Sequence, residues 1–149
     1  MKLPALAVGA LVFLLGADAA KEEAVNKDLE NFQGVWTVVS MELNGKPLPE
    51  ERRKKTRLTI RGEHFTFDTG HDTHEGLYKI DPTKDPKELN IVITRGDEKG
   101  KAYLVIYKFE GGKMIQCMRQ DNKSRPREFT GKAGSGCDFE VWQRQKPSS

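Results

Sequence analysis

The chain has 149 residues, a length suited to one domain, with 36% hydrophobic and 32% charged residues and a formal net charge of +3. So small an imbalance gives no electrostatic drive toward nucleic acid, and no apolar stretch is long enough to span a bilayer. The averages conceal a split: 14 apolar residues fall in the first 19 positions and 40 in the other 130, enough for one modest core.

Met1-Lys2 sets a positive charge ahead of the apolar run Leu3 to Leu15, and Ala17-Asp18-Ala19 follows with small residues at −3 and −1. This layout predicts a signal peptide over residues 1–19, cleaved after Ala19, and a secreted or periplasmic domain over residues 20–149. Two cysteines remain, Cys117 and Cys137. In an oxidising compartment they permit one disulfide, whose loop of about 20 residues would contribute roughly 3 kcal/mol in the chain-entropy model. The alternative is a pair of buried free thiols acting as small hydrophobes.

Ala20 to Phe32 reads as a short helix, with Ala24, Val25, Leu29 and Phe32 at helical spacing. The period then shortens. Trp36 to Leu43 is a Val- and Thr-rich strand ending at the turn signal Asn44-Gly45. A Pro-punctuated connector follows, with one helical turn over Glu50 to Lys55. Arg57 to Arg61 places Leu58 and Ile60 on one face, Gly62-Glu63 turns the chain, and His64 to Asp68 aligns Phe65 with Phe67. Glu75 to Ile80, Leu89 to Thr94, Lys101 to Phe109 and Lys113 to Arg119 are four further strands. The third of these is apolar on both faces. After a polar loop containing Arg125-Pro126-Arg127, Asp138 to Arg144 is the last strand.

Eight strands joined mostly by short turns, with no helical crossovers between them, predict an all-β antiparallel fold. Successive hairpins favour an up-and-down eight-stranded barrel, whose closure removes exposed sheet edges. A barrel of that size either fills with side chains or holds one small ligand.

Phe32-Gln33-Gly34-Val35-Trp36 joins the helix to the first strand. A Gly-x-Trp at that position, ahead of about eight strands in an exported chain, resembles the calycin superfamily of lipocalins and their relatives. The resemblance implies that Trp36 plugs the closed end of the barrel and that Arg144 of the last strand stacks across it, a cation–π contact of about 1 kcal/mol. Arg144 shares strand parity with Trp142 rather than with Phe139 and Val141, so the stack requires Trp142 inward or a nearby bulge. Ordered blocks across the mature chain also resemble an uncharacterised, much-duplicated family of secreted domains from planctomycete bacteria. They include Gln33 to Ser40, Asn44-Gly45-Lys46-Pro47, Gly76 to Pro82, Gly96 to Gly100, Arg125 to Phe129 and Gly134-Ser135-Gly136. That family carries no established activity, and Cys137 departs from its last strand.

His64, His71 and His74 lie within eleven residues, but two of them three apart without a fixed third make a poor metal site, and an exposed hairpin tip explains them. Arg52-Arg53-Lys54-Lys55 with Arg57 could meet an anionic envelope surface, or simply be a solvated connector. No serine or cysteine stands in a readable relation to a base, and the glycine-rich stretches do not open helices. The expectation is therefore a domain without catalytic residues, cofactor or metal, binding a small hydrophobic ligand in the barrel. Phe65, Phe67, Tyr78, Ile91 and Tyr107 are the candidate lining residues. The alternative is a filled barrel that engages an envelope or protein partner through its surface.

Overall fold

The computed structural model describes the backbone of residues 7–147 and the side chains of residues 16–147. A helix, α1 (Ala7–Phe32), leads into β1 (Gly34–Leu43), the two-residue β2 (Lys46–Pro47) and a short helix α2 (Glu50–Lys55). Seven strands follow: β3 (Arg57–Arg61), β4 (His64–Asp68), β5 (Thr73–Asp81), β6 (Lys87–Arg95), β7 (Ala102–Glu110), β8 (Lys113–Arg119) and β9 (Cys137–Arg144). Each pairs antiparallel with its neighbour, and β1 pairs with both β3 and β9, closing an eight-stranded barrel; β2 is a short addition to β1. All eight expected strands are present. The export-signal expectation rests on residues 1–19, of which 1–6 lie outside the described residues; α1 runs through the expected cleavage position. Among the described residues no helix is long and apolar enough to cross a membrane.

One end of the barrel is sealed by the C-terminal turns of α1. Phe32 is fully buried and packs its ring against Tyr78, Tyr107 and Phe109. Beside it the Trp36 indole N–H donates to the Phe32 carbonyl at 2.7 Å, satisfying a carbonyl at the helix end. Arg144 lies 4.7 Å above the Trp36 ring and reaches the Asn31 carbonyl. Asp28 is buried at the same end, where it accepts from the Tyr107 hydroxyl and from Lys87, both at 2.8 Å. Gln33 clamps the β3–β4 turn by exchanging hydrogen bonds with Gly62.

Strand parity accounts for the Arg144 stack. Trp36 is opposite Arg144 and Val38 opposite Trp142, and a bulge between Val38 and Ser40 restores the register beyond them. Trp142 is inward and 1% exposed. Its parity mates Asp138 and Glu140 therefore also face the lumen, whereas Phe139 packs on the outside.

The outside carries a second small core that explains why β7 is apolar on both faces. The loop over residues 120–136 lies across Ile106, Cys117 and Cys137, with Phe129 and Phe139 packed alongside. Arg125 fastens this loop through hydrogen bonds to the Leu89 and Val105 carbonyls and to Asn90. Of the two alternatives for the cysteines, this structure has the second: Cys117 and Cys137 are both free and buried. Cys117 is directly opposite Phe139, and Cys137 opposite Arg119. The cysteines are thus diagonal neighbours on adjacent strands, with their side chains close enough to interact. The Cys117 thiol instead donates to the Thr130 carbonyl at 3.3 Å, and burial pushes it up to about 11, a value at which it is unreactive.

Asn44 and Gly45 occupy positive φ at the β1–β2 turn, as their sequence signal requires. The Asn44 side-chain oxygen accepts from the backbone N–H of both Gly134 and Gly136 at 3.0 Å, pinning the long loop to the barrel rim. Asn44→Gly keeps the backbone geometry and removes only the acceptor. Urea denaturation should show a loss of about 1–2 kcal/mol, with no change in barrel strand content by circular dichroism.

Candidate functional site

The barrel is filled at its plugged end and open at the other. A cavity of about 240 Å³ opens to solvent between the β4–β5, β6–β7 and β8–β9 ends. Its apolar wall includes Leu58, Phe65, Phe67, Ile91, Ile93 and Trp142. Tyr78 separates the cavity from the plug: its ring contacts Phe65 on one side and Phe32 on the other. Four of the five expected lining residues, Phe65, Phe67, Tyr78 and Ile91, meet at this cavity. Tyr107 does not. Its ring is fully buried beneath α1 and its hydroxyl is committed to Asp28, so it belongs to the plug.

Polar groups are set into this apolar wall. On β9, Glu140 is opposite Gln116 and Met41, and its Oε2 accepts from the Trp142 indole N–H at 3.0 Å. Burial pushes the Glu140 carboxyl up to about 7; the Trp142 hydrogen bond opposes the rise and the neighbouring Asp138 adds to it. Burial likewise raises Asp138 above the usual carboxylate range, against a 2.8 Å hydrogen bond from Gln120. Neither carboxyl is in a salt bridge among the described residues.

At the rim the third carboxylate is treated differently. Glu98 accepts from the Tyr103 hydroxyl at 2.7 Å and from Lys101 at 3.1 Å, and the Tyr103 hydrogen bond chiefly holds its carboxyl below the usual range. The buried Gln116 amide donates to the Tyr78 hydroxyl at 3.4 Å. Desolvation raises the Tyr78 phenol, so it is neutral at all ordinary pH. His74 stacks on Phe67 at the mouth, and its buried Nδ1 has no hydrogen-bond partner.

Apart from His74 at the mouth, the other sequence candidates lie away from this site. His64 is opposite Leu77 and His74 opposite Phe67, while His71 is in the exposed turn between the strands. Among the described residues no three His, Cys, Asp or Glu side chains are placed to hold a metal ion. Within the basic stretch, Arg53 caps the β1 bulge by donating to the Val39 carbonyl, Arg57 donates to the Lys54 and Thr56 carbonyls, and Lys54 pairs with Glu50. Three of its five positive charges thus serve local structure.

Glu98, Asp138 and Glu140 were not among the sequence candidates. The parity of Trp142 with Arg144 carried the signal for the last two, since a strand that turns both inward turns Asp138 and Glu140 inward as well. No protein-family profile, curated protein or solved structure matches the chain. The cavity and its lining are therefore the basis for a functional reading.

Proposed function

We propose that this chain is an exported, non-catalytic binding protein of lipocalin-like type that holds one small, largely hydrophobic ligand in the open half of its barrel. The observation that carries the reading is the cavity of about 240 Å³ with a mainly apolar wall. An apolar cavity of about 150 Å³ admits benzene, so this one suits a single ring with a short tail. The lining sets carboxyls, phenols, an amide and an imidazole among its apolar residues, the few polar groups in an apolar concavity that small-ligand sites carry. The resemblance to secreted calycin-type domains and the export-signal pattern of residues 1–19 support the same reading.

The test is a titration with 2-phenylethanol, a neutral one-ring fragment, followed by two-dimensional NMR. Saturable binding at millimolar or lower concentration should shift Phe65, Phe67, Ile91 and Tyr103 and leave Phe32 and Tyr107 at the plug unmoved. Shifts spread over the outer surface, or none in the lumen, would count against it.

A further inference from the structure

We infer that the ligand taken by this lumen is an organic amine, bound with its apolar body against Phe65, Phe67 and Ile91 and its ammonium group at Glu140. The inference rests on the lumen being a ligand site and adds the chemical class of the occupant.

Three observations carry it. Every formally charged side chain lining the cavity other than the imidazole of His74 is a carboxylate, with neither lysine nor arginine present. Glu98 is already served by Tyr103 and Lys101, which leaves Glu140 and Asp138 without a cationic partner. Glu140 also uses only Oε2 in the protein: its Oε1 has no protein donor among the described residues. A carboxyl placed among Tyr78, Gln116 and Trp142 without a counter-ion is a costly arrangement. An ammonium group with its three donors would supply both the charge and the hydrogen bonds that are absent. The topology also sets an order: β4 and β6, which carry much of the apolar wall, are not neighbours of β9, which carries the two carboxyls. A bound anion would meet Asp138 and Glu140 with no lysine or arginine in the lining to offset them.

Three probes of one shape separate the possibilities: 2-phenylethylamine, 2-phenylethanol and phenylacetate, each titrated at pH 8 by calorimetry and by NMR. The amine should bind at least about tenfold tighter than the alcohol, and phenylacetate more weakly than either. In Glu140→Gln, which keeps the shape and an acceptor for Trp142, the amine should fall to within about threefold of the alcohol titrated on the same variant. Lowering the pH to 5.5 should shrink the amine preference in the parent chain. An amine no tighter than the alcohol, or a preference that survives Glu140→Gln, overturns the inference and leaves the small-ligand reading standing. If none of the three shifts lumen residues, both fall together.

Discussion

Replacing Trp36 with alanine should cost about 4–5 kcal/mol of stability, a large share of the roughly 5–15 kcal/mol available to a domain of this kind. The indole is 1% exposed and central to the plug. Truncation removes its packing against Phe109, strips the cation–π partner from Arg144 and leaves the Phe32 carbonyl without its donor. That carbonyl ends α1, so the helix loses its anchorage on the barrel as well as a side chain. Arg144→Met is the comparison: it keeps an apolar stem over the ring and should lose only about 1 kcal/mol. Equilibrium urea denaturation of the two variants checks the difference. A Trp36→Ala loss below about 2 kcal/mol would mean that the plug is not what holds this end closed.

The second large effect is a gain. Glu140→Gln should stabilise the empty protein at high pH and leave it nearly unchanged at low pH. The Glu140 carboxyl is raised from 4.5 to about 7 by burial. Between those values the folded chain retains a proton that the unfolded chain has released, so stability falls as pH rises through the interval and levels off above it. A displacement of that size corresponds to about 3 kcal/mol once both carboxyls are ionised. The difference in unfolding free energy between variant and parent should therefore grow from near zero at pH 4 to about 3 kcal/mol at pH 8. Taking the difference isolates Glu140 from Asp81, Glu98 and Asp121, whose carboxyls are held low by their hydrogen-bond partners and act in the opposite sense. A flat difference across that range would show that Glu140 is solvated rather than set in the wall.

These two residues also mark how far the sequence could be read. Alternation of Leu58 with Ile60 and of Phe65 with Phe67, together with turn signals such as Asn44-Gly45, was enough for the eight strands and their antiparallel order. Trp36 and its Arg144 partner were legible because the resemblance carried by Gly-x-Trp implied their stack, which the structure contains. The polar half of the site was not, because hydrophobic alternation assigns the apolar parity inward. In β9 that rule fails: Phe139 and Val141 look like the core face, yet the loop over residues 120–136 covers Phe139 from outside. The lumen takes Asp138, Glu140 and Trp142 instead. The sequence left the two cysteines open between a bridge and free thiols, because spacing along the chain does not give their register across two strands. Both lie beneath that loop as buried thiols, on diagonal rather than facing positions. Tyr107 was misplaced for a simpler reason. Its parity is inward, as expected, but parity does not say at which end of the barrel an inward side chain lies, and α1 occupies that end.

The filled and open halves also reconcile two expectations that seemed exclusive. Phe32, Trp36, Tyr107 and Phe109 fill the barrel around α1, which is the outcome that so many inward aromatics favoured. Beyond Tyr78 the inward side chains leave the open cavity of about 240 Å³.

The account depends most on that cavity being a binding site, and one comparison tests it directly: the 2-phenylethanol titration repeated on Met118→Trp. Met118 is a half-buried residue in the cavity lining, so an indole there fills the lumen without disturbing the plug. Saturable lumen shifts are expected in the parent chain and their loss in the variant, with circular dichroism and the plug resonances of Phe32 and Tyr107 unchanged. Equal binding to both proteins, with the variant folded, would contradict it.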